Sequence, residues 1–538
     1  MARQTFPSLV RKTQTRFSLL ILLLLSGAWG TGAQTRVASL SASNETGNKT
    51  ETPTDRTSDI NNLRALTQRF PRSAEAHNSL GMALGETGKL DEAVAELKTA
   101  VTLNPHYGQA FYNLGVTYLK QADLLWAPDP SAYHVKLGDA LQAFLRADRL
   151  QPNLREIHTH LGIIFQEIGS QDEAIAEFRK AIASAPDSAE AYNNLGTCFS
   201  GDNKFKDAEQ AFEKAIELDP HFVPAGVNLG DAMLQSGSIS STVEKWAGRV
   251  RAKPLSPIAH TFLGYALTFN HQLQPGRDEL QRAVELDPGL AIAHFYLGQI
   301  LEKLGDLPQS EKHLRTAISL SPHTRWFEVE LGVVLQKEGK PTEAVALLRQ
   351  ATAENPRNAQ AQYVLATALR QSGEREEAAT HFEAAQALSR KEDSLKTARV
   401  EIREGVKELK SGDLDEALAT LRKALEQQPD LPEANYYIGI ALAQKGDTEN
   451  ALQAFEKAQT GRPADPEIRF NFGIALWHAG KSVAAIDEFR QAIQLKPDYG
   501  LAHCALGKAL VHEGQSREGE NELTRAAQLG ACDAHGAQ

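Results

Sequence analysis

Glycine recurs along this chain with a fixed beat, and that beat leaves few folds open. Gly162, Gly196, Gly230, Gly264, Gly298 and Gly332 stand 34 residues apart, and Gly81–Gly115 upstream and Gly405–Gly439–Gly473–Gly507 downstream keep the same spacing. Proline follows most of these glycines by 24 residues, as at Pro186, Pro220, Pro288, Pro322 and Pro497. A period of 34 residues is that of a stacked helix–turn–helix array.

The unit is clearest in Ala291–Thr324, with Ala291 as position 1. Leu297, Gly298 and Leu301 fill positions 7, 8 and 11, and Leu314 and Ala317 fill positions 24 and 27. Apolar residues three or four apart mark two amphipathic helices. Small residues at 8 and 27 let their backbones approach, and a large residue at 24 fills the space between them. Glycine at 15 suits the left-handed residue that ends the first helix. Proline at 32 cannot continue the second.

This pattern resembles the tetratricopeptide repeat. Thirteen copies begin at Ala74, Gly108, Arg155, Ala189, Val223, Pro257, Ala291, Arg325, Ala359, Ala398, Pro432, Pro466 and Gly500. The resemblance implies an all-α fold, a right-handed αα-superhelix. The expected organisation is a signal segment at 1–33, a Ser/Thr/Asn-rich tether at 34–57 and a capping helix at 58–73. Two repeat blocks follow at 74–392 and 393–531, with a tail at 532–538. The charged, glycine-free junction Ser389–Thr397 reads as continuous helix. Two copies are irregular. Repeat two carries a surplus around Gln121–Lys136, read either as two longer helices or as a rim presenting Trp126 and Tyr133 to the groove. Repeat five has Thr242, Trp246 and Arg249 where small or core residues usually sit, so its second helix should shift or its arginine reach solvent.

Four cations, Arg3, Arg11, Lys12 and Arg16, precede the apolar run Phe17–Leu25, and small residues follow. This reads as a secretory signal cleaved after Ala33 or Gly30, with an uncleaved N-terminal membrane anchor as the alternative. The chain is then exported, periplasmic or secreted, with no span in its mature part. Asn44 and Asn48 head glycosylation sequons in a tether of disordered composition. Losing the four signal cations takes the net charge from −11 to −15, which disfavours nucleic acid as a partner. The cysteines Cys198, Cys504 and Cys532 are few and odd in number, so helix packing rather than disulfides is expected to hold the fold.

Motifs for chemistry are missing: there is no phosphate loop, His-Glu-x-x-His or Cys-x-x-Cys. His158 and His160 lie two apart and point to different faces of a helix. Position 4, shared by His158 with His77, His260, His294 and His503, is expected to be a packing site rather than a metal ligand. Acidic pairs such as Asp172-Glu173 open second helices, where they favour the helix dipole. The expectation is a non-enzyme without cofactor or metal.

The resemblance places function on the inner face of the superhelix, lined by first helices. Position 6 holds Asn113, Asn194, Asn228 and Asn471, which is similar to the asparagine ladder of O-linked N-acetylglucosamine transferases, where amides grip an extended peptide backbone. Other copies depart from it, with His160, Phe262, Tyr296 and Glu330 at the same place. The clamp of chaperone-binding repeats is excluded, because position 5 never carries lysine. Aromatic residues stand there instead, including Tyr112, Tyr363, Tyr436 and Phe470. These eight residues are the candidate peptide-binding groove. The sequence reading is an exported scaffold for proteins or extended peptides. Its alternative is a non-catalytic accessory subunit of an envelope polysaccharide-synthesis or glycosyl-transfer system.

Overall fold

The computed structural model describes residues 53–532 apart from 126–129, 153, 155, 169, 238, 323, 430 and 464. The basic–apolar N-terminus, the tether through residue 52, both sequons, Trp126 and the last six residues lie outside the described residues. Among the described residues there are 26 helices and no strand.

Helices begin where the period predicts, as at Ala74, Ala189, Val223, Pro257, Ala291, Ala359, Pro432 and Gly500. The reason is visible at position 8. A Cβ on Gly196 would stand 2.5 Å from the Phe212 ring, one on Gly298 would stand 2.7 Å from Leu314, and one on Gly473 would stand 2.6 Å from Phe489. Each glycine therefore seats the large residue 16 positions on, and the two helices close at the density of a protein interior. At position 15, Gly88, Gly305, Gly339, Gly373, Gly412, Gly446, Gly480 and Gly514 take φ of 72–96°. Asn203 and His271 hold the same left-handed place at 58° and 61°. Ser73, Ser188 and Ser256 cap first helices through Oγ, which accepts from the backbone N–H of Ala76, Ala191 and Ala259.

The repeats fall into two compact units. One is Phe178–Ser389; the other combines the described parts of Lys49–Glu177 and Arg390–Gln538. The junction Ser389–Thr397 lies inside a single helix, Arg375–Ser411. The helix ahead of the array is Pro53–Arg69, so it begins inside the stretch expected as tether rather than at residue 58. Within the second unit, Pro130–Leu150 of repeat two touches Thr448–Gly461 and Ser482–Leu495, and Lys496 Nζ lies 3.0 Å from Glu173 Oε1.

In several repeats position 4 welds the hairpin to the turn before it. In His77, His260 and His503, Nε2 faces the carbonyl of Pro71, Pro254 or Pro497 at 3.3, 3.0 and 3.0 Å. Nδ1 of the same rings faces Glu96, Glu279 or Glu522 at 2.5 Å each. Arg469 does the same work in repeat twelve, with Nε donating to Pro463 O at 2.8 Å and Nη1 to Glu488 at 3.0 Å. His158 likewise faces Glu177 at 2.8 Å, while His160 Nδ1 turns to Glu156 O at 2.9 Å.

Repeat seven breaks this series, because His313 stands where the others carry a carboxylate. His294 Nδ1 faces His313 Nδ1 at 3.0 Å. Burial, the neighbouring His294 and Lys312 hold His313 down at about 4, and burial also lowers His294. The folded state thus favours the neutral ring, and an unfolded histidine takes up its proton near 6.5. Stability from this pair is complete above about pH 6.5 and is lost as pH falls toward 4. Repeat seven should loosen by about 1–2 kcal/mol over that window, because solvent around the half-buried His313 screens part of the effect. His313→Glu, which restores the carboxylate, should abolish the acid sensitivity. Hydrogen exchange of residues 291–320 against pH is the measurement, and equal acid loss in both proteins would refute the assignment.

Repeat five is opened. Gly230 meets not its own Trp246 but Tyr296 Oη and Tyr265, and Gly237 is not left-handed. Its second helix, Ile239–Ala252, barely touches its first and packs on Pro257–Phe269, with Trp246 and Phe262 rings 5.0 Å apart. Arg249 is 40% exposed, lies 4.3 Å above the Trp246 ring and donates from Nη2 to Glu213 at 2.5 Å. Both consequences expected of this arginine, the displaced helix and the route to solvent, are present.

Two expectations need correction. Helix packing is not unaided, because Cys504 is disulfide-bonded to Cys532. The chain past the last helix folds back over Gly500, whose Cβ position is 2.5 Å from Ala531, and this brings the two sulfurs together. The surplus of repeat two makes two long helices, Gly108–Leu125 and Pro130–Leu150, and Tyr133 is no rim residue. It is 3% exposed, and its hydroxyl donates to Glu167 at 2.8 Å.

Candidate functional site

First helices supply the candidate residues, and the structure shows what the amides do. Asn113 Nδ2 donates to Asn78 Oδ1 at 2.8 Å, and Asn228 Nδ2 donates to Asn193 Oδ1 at 2.8 Å. Asn471 Nδ2 donates to the Tyr436 hydroxyl at 2.9 Å. Each bond runs from position 6 of one repeat to position 5 of the repeat before it. The asparagines therefore form a register between neighbouring hairpins, in which one amide N–H of each is already used. Position 5 partners Asn78 and Asn193 were missed as members of this ladder, although their 35-residue offset from the position 6 asparagines is present in the sequence.

Asn194 differs from its counterparts. It is 5% exposed, its Oδ1 accepts from Asn193 Nδ2 at 3.4 Å, and its own Nδ2 is buried without a partner. A buried amide donor left unmet is costly and uncommon, which marks this position out.

The aromatic candidates divide by environment. Tyr112 donates from its hydroxyl to Glu156 at 2.6 Å and lies edge-on to Phe144. Tyr436 is half-buried against Phe455, and Phe470 packs on Phe489 and Tyr499 at 6.0 and 5.1 Å. Burial raises the Tyr436 and Tyr499 hydroxyls, and the charges of Glu467 and Asp465 add to it. Tyr363 alone among the four is open, at 43% exposure, edge-on to Phe382. Asn194, Asn228 and Tyr363 belong to the unit Phe178–Ser389, and the other five belong to the second unit.

Charges on the first helices of Phe178–Ser389 are mostly compensated. Glu302 pairs with Lys337. Burial raises Glu330, with Gln299 donating to it and Lys303 nearby. Asp231 was not singled out from the sequence, and burial pushes it up to about 7. Among the described residues no three histidine, cysteine or acidic side chains converge as metal ligands. No helix among them is long and apolar enough to cross a membrane.

Comparison with known proteins agrees with the fold. Family models described as tetratricopeptide repeat match residues 329–393 and 402–466, 189–222, and 291–324, and one described as TPR repeat matches 81–121 and 164–199. No curated protein matches the chain in sequence. A solved structure, described as YrrB, a TPR protein with an unusual peptide-binding site, is 20% identical. That match covers 44% of this chain and 99% of YrrB with a TM-score of 0.23. With the period, the glycine seats and the hairpins in agreement, the chain belongs to the tetratricopeptide-repeat proteins, scaffolds for protein interaction.

Proposed function

We propose that this chain is an exported scaffold that binds extended peptide segments of partner proteins along its first-helix face, and that it is not itself an enzyme. The observation that carries the reading is Asn194: a donor buried without a partner in the folded chain is satisfied when a peptide carbonyl reaches it. Backbone recognition of this kind needs no particular partner side chain. Export is supported by the basic–apolar N-terminus and by the Cys504–Cys532 bond, which persists in oxidising compartments. In that setting the partners belong to an envelope or secreted assembly.

The ladder supplies its own control. Asn228→Ala breaks a formed bond to Asn193 and should cost about 0.5–1.5 kcal/mol of stability. Asn194→Ala removes an unused donor together with the long 3.4 Å acceptor of Asn193 Nδ2, so it should lower the melting temperature less than Asn228→Ala does. Peptides selected by the parent protein from a random-sequence array should bind Asn194→Ala with about 0.5–1.5 kcal/mol less affinity. Undiminished binding by Asn194→Ala would remove this groove from the reading.

A further inference from the structure

The opened fifth repeat changes what lies beside Gly230. Beside Gly196, Gly298, Gly332, Gly439 and Gly473 that place is taken by a large residue of the same hairpin, but here Trp246 has turned to Phe262. Tyr265 of repeat six and Tyr296 of repeat seven fill it instead, their rings 4.3 Å apart. A Cβ on Gly230 would stand 2.5 Å from Tyr296 Oη and 3.1 Å from Tyr265 Cζ. The Tyr296 hydroxyl reaches back 70 residues to the carbonyl of Gly226, at 3.4 Å. Both tyrosines are buried, and Phe269 packs on Tyr265 at 4.8 Å.

Asp231 follows Gly230 directly, at position 9 of its repeat, and remains partly exposed. Asp231 is the next residue on the helix whose Gly230 meets both tyrosines, and its charge opposes ionisation of both hydroxyls. Among the described residues no cation offsets its burial, in contrast to Glu302 with Lys337 and Glu330 with Lys303. A carboxylate partly withdrawn from water without a counter-charge is unfavourable, and bringing a cation to it recovers some of that energy. Aromatic rings beside the carboxylate add attraction for the same cation, most strongly for a planar guanidinium.

Building on the peptide-binding reading, we propose that this site recognises a basic side chain, arginine before lysine, of a bound peptide, with Asp231 as counter-charge and the Tyr265–Tyr296 pair as an aromatic floor. Repeat five is thereby the point at which a groove otherwise indifferent to side chains reads one. The irregular residues Trp246 and Arg249, which draw the second helix away, are what make room for the tyrosines.

The test uses the full chain and arrays of random-sequence peptides whose central residue is fixed as arginine, lysine, glutamine or glutamate. The parent should favour arginine and lysine over glutamine by about tenfold, since hydrogen bonds to charged groups are of that strength. Asp231→Asn keeps the shape and loses the charge. It should bind the glutamine set as the parent does, with the basic preference gone and the circular dichroism unchanged. Equal binding of the arginine and glutamine sets by the parent overturns the site while the peptide-binding reading stands. A basic preference that survives in Asp231→Asn also overturns it. Failure to bind peptides of any kind overturns both.

Discussion

Trp246→Ala should destabilise this protein by about 3–5 kcal/mol, the range for emptying a large aromatic site. Its damage should appear in the wrong repeat by sequence logic. Trp246 is 1% exposed and packs at a tilt on Phe262, so the cavity opens between Ile239–Ala252 and the first helix of repeat six. It does not open inside repeat five, because Gly230 faces the tyrosines. Arg249 also loses the ring beneath it, although its link to Glu213 remains. Trp246→Phe is the informative partner. The indole Nε1 is buried without an acceptor, so phenylalanine keeps most of the buried area and deletes an unsatisfied donor. Its cost should stay within about 1 kcal/mol. In a repeat array each hairpin leans chiefly on its neighbours, so hydrogen exchange resolved by helix is the proper readout. If the alanine variant exchanges faster throughout Val223–Gln235 but not in Pro257–Phe269, the opened hairpin is wrong.

The parts of this fold that were legible in the sequence are those decided within one period. Glycine at 8, a large residue at 24 and a left-handed residue at 15 act across a single hairpin, so a 34-residue spacing exposes them directly. Arg249 was legible too, because a guanidinium where two helices touch must escape. Where Trp246 would go was not, since its new neighbour lies in the next repeat and the vacancy beside Gly230 is filled from two repeats on. His271 fills the left-handed place at position 15 without glycine, and only its place in the period marks it. The asparagines show the limit for the site. Position 6 was visible as a column, but whether an amide is used inside the protein depends on position 5 of the repeat before it. Asn113 and Asn228 have an asparagine there, and Asn194 follows Thr159. The contact of Lys496 with Glu173 joins residues 323 apart, and no pattern of period 34 encodes it.

Breaking the Cys504–Cys532 bond, by reduction or by Cys532→Ser, should cost about 3 kcal/mol, the entropy of a closed loop of this length. The two residues are 28 apart, and the bond ties the first helix of the last hairpin, Gly500–His512, to the chain just past the second, Ser516–Gln528. Among the described residues this hairpin packs on the array chiefly through the preceding repeat, so it has less to hold it than hairpins packed on both sides. The second helix is strongly amphipathic but buries only Gly519, Leu523 and Ala526, and the bond anchors the chain just beyond it. Loss should therefore be local: exchange of Ser516–Gln528 should quicken many-fold on reduction, while Pro257–Leu320 is unmoved. Thiol labelling reports the same event independently. Cys198 is buried, and burial pushes its thiol up to about 12, so it stays unreactive in the folded array. Half-exposed Cys532 should take label only after reductant is added, and it should do so before Cys198 in any folded sample. Label on Cys532 without reductant would show that the bond does not form. Unchanged exchange of the last helix after complete reduction would show that packing alone holds it, returning the hairpin to the rule that the other repeats obey.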